Sequence, residues 1–207
     1  MAAIPNPTPF PLCGGHPVLD LVNTLDNRFR ADGPLELLPD YAALLRFMEQ
    51  SGLLDAAQIQ ALTRRVSKAE ADRSLDSARD LREAGASILY ATAEGSTPQP
   101  TDVRKLARYL QSAQQRQELV WAPSAAGPKF AWEWRASQAN ADLPVWILSL
   151  QASALLTSEA MSRLRTCGCE TCRWLFLDTS KNHTRRWCDM KVCGNRMKAR
   201  RFHARRL

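Results

Sequence analysis

Five of the six cysteines of this chain crowd toward its C-terminal end, at Cys167, Cys169, Cys172, Cys188 and Cys193. A segment of some forty residues buries too little apolar surface to fold by packing alone, so a covalent or ionic clasp has to close it. Residues 1–11 are broken by proline and carry no Lys or Arg, which is not the pattern of a secretory signal. In a chain without an export signal, clustered cysteines bind metal more often than they pair as disulfides. The expected ligand of the cluster is therefore a metal ion, and the expected location is cytoplasmic. No run approaches the roughly 18 apolar residues of a membrane span, so no membrane partner is expected. Cys13, alone near the start, reads as a small buried residue.

The spacing narrows the metal. Cys167-x4-Cys172 and Cys188-x4-Cys193 are two close pairs with fifteen residues between them, so each pair can approach one ion from its own side. Four thiolates at about 2.3 Å close a tetrahedral Zn²⁺ site and leave no position for water. One structural zinc per chain is the expectation, with a binding free energy on the order of 10 kcal/mol to fold the segment. Cys169-x2-Cys172 is an equally acceptable metal hairpin, so on spacing alone Cys169 is an alternate to Cys167. Residues 174–177 and 185–188 read as two short strands with 178–184 as their turn. A helix over 194–206 follows, its N-terminal amides facing the thiolates.

Charge divides the chain at the same place. Residues 163–207 hold thirteen Lys and Arg against three Asp and Glu, whereas residues 1–162 hold fifteen against eighteen. The excess positive charge of the whole protein thus lies in this last stretch, which points to an anionic partner. Some cations near the cysteines balance the net −2 of a four-thiolate zinc. The others spread around the terminal helix, where their mutual repulsion calls for phosphate. The candidate nucleic-acid contacts are Arg185, Arg186, Arg196, Lys198, Arg200, Arg201, Arg205 and Arg206, with double-stranded DNA the expected partner. Two rivals stand beside this reading. One is RNA, with Trp174, Phe176 and Trp187 stacking on bases; the other is a zinc-stabilised protein-interaction module.

The remainder reads as α+β and mostly helical. Pro17 suits the first turn of an apolar helix through Leu25. Asp40 is an N-cap for residues 41–50, with Gly52 the stop. Asp55 opens a helix through Ile59, Leu62 and Val66, and a longer one covers residues 72–94. Another follows the linker at 95–100. Period-2 alternation at Leu119, Val120, Trp121 and at Phe130, Trp132, Trp134 around a Pro/Gly-rich turn predicts one β-hairpin. A last helix begins near Pro144 and carries apolar spacing to Leu164. This gives a helical domain over residues 1–162, with one hairpin, and a small finger of hairpin and helix over 163–207. The first part has apolar faces of its own, so metal loss is expected to melt only the finger. Deleting residues 163–207 is expected to leave a soluble helical domain.

These motifs are recognisable. Cys172-Arg-Trp-Leu-Phe-Leu-Asp-Thr-Ser, Arg185-Arg-Trp-Cys-Asp-Met and Cys193-Gly-Asn-Arg-Met-Lys-Ala-Arg-Arg resemble the CGNR zinc-finger family across residues 163–206. That resemblance implies Cys167, Cys172, Cys188 and Cys193 as ligands, with Cys169 an addition to the pattern. Gly14-Gly-His-Pro-Val-Leu-Asp-Leu-Val-Asn-Thr resembles the start of the ABATE domain, which implies a stress-induced transcription regulator of bacterial type. His16, Asp20, Asn23, Thr24 and Arg28 are polar on an otherwise apolar helix and are candidates for lining an effector pocket. The N-terminal domain then acts as small-molecule sensor or homodimerisation unit. His16 is the one histidine of residues 1–162, and no Gly-rich phosphate loop or nucleophile motif accompanies it, so no enzyme is expected.

Overall fold

Local signals set most helix ends. The computed structural model describes residues 8–124, 127–135 and 140–204. Helix α1 (Pro17–Asn23) starts with proline in its first turn and His16 as N-cap, the ring Nδ1 accepting from the Val18 amide. Asp40 caps α2 (Tyr41–Gln50), and Asp55 and Ser67 form reciprocal capping boxes on α3 (Ala56–Arg65) and α4 (Lys68–Ala93). Each such cap contributes about 1 kcal/mol. The long helix therefore begins four residues earlier than its apolar spacing alone predicts. Helices α5 (Pro100–Gln114) and α6 (Leu143–Leu156) again open on proline.

Among the described residues, three two-stranded antiparallel ribbons interrupt the helices. The first, β1 (Leu25–Asp26) with β2 (Leu35–Glu36), ends the apolar run that α1 shares with Leu25. The second pairs β3 (Gln117–Ser124) with β4 (Gly127–Trp134), as the alternation predicts. The third pairs β5 (Leu164–Thr166) with β6 (Leu175–Leu177). This corrects two expectations. Leu164 is not in the last helix, which stops at Leu156 before a 3-10 turn over Glu159–Arg163. The strand partner of Leu175–Leu177 is Leu164–Thr166 across the first cysteine loop, and residues 185–188 form no strand. The finger is still a hairpin with a helix, α7 (Asn195–Ala204), preceded by a π-helical turn over Met190–Gly194.

The main core draws on all six helices α1–α6, with Leu19, Leu44, Phe47, Met48, Leu62, Leu148 and Leu155 almost wholly buried. Leu164, Leu175 and Leu177 of the β5–β6 hairpin belong to this same cluster. A second, smaller cluster contains Cys167, Cys169, Cys172, Trp174, Phe176, Cys188 and Cys193. Strand β6 and the residue before it thus present alternate side chains to two cores: Leu175 and Leu177 to the helical body, Trp174 and Phe176 to the cysteines. Among the described residues, no helix is long and apolar enough to cross a membrane.

Candidate metal centre and nucleic-acid interface

Two loops bring the four ligands together. In the first, the amides of Cys172 and Arg173 both donate to the Cys169 carbonyl, at 2.9 and 3.0 Å, and Arg173 takes a left-handed φ of 54°. The loop closes where the Cys167 amide donates to the Trp174 carbonyl at 2.8 Å. In the second, Asp189 caps the π-turn through its side chain, and its carbonyl accepts from the amides of Cys193 and Gly194. Gly194 is buried at the end of this turn, beside the Met190 side chain.

The Sγ atoms of Cys167, Cys172, Cys188 and Cys193 all lie within 4.8 Å of one another. A tetrahedron of thiolates around Zn²⁺ with bonds of about 2.3 Å has edges of about 3.8 Å. The Cys172–Cys188 and Cys188–Cys193 sulfur separations are 3.6 and 3.7 Å, so the thiols already stand on such a frame. Four ligands fill it, and the zinc they hold is structural. Without the ion, hydrogen bonds from Cys172 and Cys188 favour the Cys167 thiolate, and the other three thiols resist ionisation beside it. Burial, and after it the charge of Cys167, push the Cys193 thiol up to about 11, and the hydrogen bond with Cys167 raises Cys172. Zinc supplies the positive charge that makes four adjacent thiolates tolerable.

Cys169 is fully buried but outside this group. Its sulfur lies 3.4 Å from the Thr171 hydroxyl and 4.0 Å from the Arg196 guanidinium, which also donates to Thr171. Geometry therefore selects Cys167 where spacing leaves both open. Cys13 packs directly against the cysteine cluster from the far end of the chain. Sequence gives no signal for that contact. Asp189 and Thr171 are also absent from the sequence-derived set. Of the two, Asp189 had a local clue, being a capping residue type just before a turn.

The basic residues separate into two kinds. Arg185 is turned inward: its guanidinium donates to the carbonyls of Trp187, Cys188 and Cys13 and lies 4.5 Å from the centre of the Phe176 ring. It holds the finger together. Arg186, Lys191, Arg196, Lys198 and Arg200 are exposed. The side chain of Arg201, and Arg205 and Arg206 entirely, lie outside the described residues.

The five polar residues expected around the first helix all have protein partners, although His16 and Thr24 only flank α1 and Arg28 lies in a turn beyond β1. His16 caps α1, Asp20 accepts from the Gly14 amide at 2.7 Å, and Asn23 bonds the backbone of Leu175. Thr24 donates to the Leu21 carbonyl and accepts from Arg82, while Arg28 pairs with Glu83. The hollow beside Asp20, Asn23 and Thr24 has no room for a water molecule. A cleft of about 560 Å³ lies elsewhere, where Pro11, Asn27 and Arg30 face Trp174, Arg196 and Arg200 at the seam between body and finger.

Comparison with known families agrees with this geometry. A model described as "CGNR zinc finger" matches residues 163–206. The ABATE model, described as "Putative stress-induced transcription regulator", matches residues 15–159, more than half of the chain. The chain belongs to the ABATE family. No curated protein matches it. The boundary between the ABATE match and the finger match falls in the 3-10 turn over Glu159–Arg163, just before β5.

Proposed function

We propose that this protein is a transcription regulator that binds double-stranded DNA through α7 and the π-turn leading into it. One observation carries the reading: the cations Arg186, Lys191, Arg196, Lys198 and Arg200 are all exposed in the segment whose four cysteines form the metal site. Helix α7 contains no acidic residue. Its Arg200 meets Glu170 at 3.7 Å, with both side chains more than half exposed, and such a pair contributes little. A predominantly basic surface of this kind contacts phosphates and releases counterions on binding.

The RNA alternative relied on stacking by Trp174, Phe176 and Trp187. Trp174 and Phe176 are buried, and the Trp174 indole N–H donates to Asp26 at 2.8 Å. Two of the three platforms are therefore not offered to bases, which favours the duplex. The test is fluorescence anisotropy of zinc-loaded protein with labelled duplex DNA, single-stranded DNA and hairpin RNA over a range of salt. The expected result is tightest binding to duplex, weakening steeply with salt. Equal or tighter binding to hairpin RNA overturns the assignment.

A further inference from the structure

The β3–β4 ribbon carries an apolar face that the body does not cover. Its register sets Leu119 opposite Trp132 and Trp121 opposite Phe130, which puts all four side chains on one side. Gln117 pairs with Trp134 on that same side, so no charged side chain interrupts it among the described residues. Glu118, Lys129, Glu133 and Arg135 all fall on the opposite side. At the base of the ribbon this face turns onto the body, where Trp134 stacks on Trp146 of α6 at 5.7 Å. Farther out it leaves the protein. Leu119, Trp121, Phe130 and Trp132 are 56%, 58%, 67% and 64% exposed, although Trp121 and Phe130 already touch edge to face at 5.1 Å.

We infer that this face is a homodimer interface, the ribbon of one copy stacking on the ribbon of another. An uncharged face has nothing with which to select a charged partner, whereas two copies of it match each other in chemistry. The area is sufficient. Three aromatics of about 150–250 Å² each, at these exposures and together with Leu119, offer roughly 400–500 Å² per chain. Two copies bury roughly 800–1,000 Å² through these residues alone. The upper end of that range meets the roughly 1,000 Å² expected of a specific interface. A two-stranded ribbon is marginal by itself in water, and a second ribbon packed about 10 Å away converts it into a small sandwich. The inference is independent of what α7 binds.

Sedimentation equilibrium of the full-length, zinc-loaded protein tests it. The expected mass is twice the 23.2 kDa of one chain, with dissociation near micromolar concentration, as suits a small interface. Trp121→Glu with Trp132→Glu places like charges on both faces and is expected to give monomer, with zinc content and helical circular dichroism unchanged. If that variant loses helical signal, Trp121→Thr with Trp132→Thr replaces it, since threonine keeps strand propensity. A wild-type protein that stays monomeric at about 100 µM overturns the inference. So does a dimer that survives in the folded variant, which would place the interface elsewhere.

Discussion

Asn23 bonds both backbone groups of Leu175, its Nδ2 donating to the carbonyl at 2.9 Å and its Oδ1 accepting from the amide at 3.0 Å. Two residues on, the Leu177 amide donates to the Gly14 carbonyl at 2.8 Å. One edge of β6 is paired with β5, and Asn23 and Gly14 fill the other in place of a third strand. A Cβ on residue 14 would lie 2.8 Å from the Leu19 Cβ and 2.9 Å from an Asp20 carboxylate oxygen, so glycine is what lets that loop reach the strand. The finger is therefore joined to the body by buried hydrogen bonds.

Asn23→Ala leaves a buried N–H and a buried C=O without partners, at about 1–3 kcal/mol each. The variant is expected to lose about 2–6 kcal/mol of stability by urea denaturation, with its zinc content retained at low denaturant. A loss below about 0.5 kcal/mol, the level of an ordinary surface change, would mean that the joint contributes nothing.

The shared core alters what removal of the finger does. Deleting residues 163–207 takes Leu164, Leu175 and Leu177 out of the main cluster, at about 2 kcal/mol for each buried leucine. It also uncovers α1. The remaining chain is expected to unfold with a broad, weakly cooperative transition and to bind a hydrophobic dye. A sharp transition at the wild-type temperature would show instead that the body is self-sufficient, as its sequence alone suggests.

The ligand set makes a sharp contrast among the cysteines. Cys169→Ser is expected to keep one zinc per chain, while Cys167→Ser and Cys188→Ser lose it, as read by metal analysis after dialysis. Since zinc must displace protons from thiols such as Cys193, held up to about 11, affinity should fall as the solution is acidified. Zinc retained by Cys167→Ser but not by Cys169→Ser would assign the shorter spacing.

What the sequence made legible, and what it did not, follows from how local each determinant is. Asp40, Asp55, Pro17 and Pro144 act on the next turn of chain, and the two-residue period of the ribbon is written along one strand. The spacing of the cysteines likewise encodes the metal site without reference to the rest of the fold. Leu164 is different. It continues the apolar spacing of α6, and only its pairing with Leu177 across the cysteine loop makes it a strand. The polar residues of α1 pose the same problem in reverse. A polar group on a buried helix announces a partner, but for Asn23 that partner is backbone 152 positions away, which no local pattern can name.

Asp20 gives the fold a pH dependence of definite sign. Burial is the largest influence on its carboxyl, pushing it from about 3.8 up to about 6 despite the Gly14 amide. The folded state thus holds this proton more tightly than the unfolded chain. The resulting stabilisation is complete below about pH 4 and is lost as pH rises through about 6. Asp20→Asn stays neutral throughout. Relative to wild type, the variant should gain up to about 3 kcal/mol between about pH 4 and about pH 7, at about 1.4 kcal/mol per pH unit. Urea titrations at the two pH values measure this; a difference that does not change with pH means that Asp20 ionises normally.

The two kinds of basic residue predict two kinds of variant. Arg185→Ala removes a guanidinium that ties together the Trp187, Cys188 and Cys13 carbonyls. Hydrogen bonds from a charged donor contribute about 1.5–3 kcal/mol, so the finger should lose stability by about that much and hold zinc less tightly. Its salt dependence on DNA should stay as in wild type, because this cation faces the protein. Lys198→Ala with Arg200→Ala should do the opposite. Both side chains are exposed, so stability should change by less than about 0.5 kcal/mol and zinc should remain. If each contacts a phosphate, the slope of log affinity against log salt should fall by about 0.9 per residue. Arg196 belongs to neither class, since it is exposed yet bonds Thr171 beside Cys169, and Arg196→Ala should show both effects. An unchanged slope in the Lys198 and Arg200 double variant would remove α7 from the DNA contact and turn the basic platform toward a protein partner.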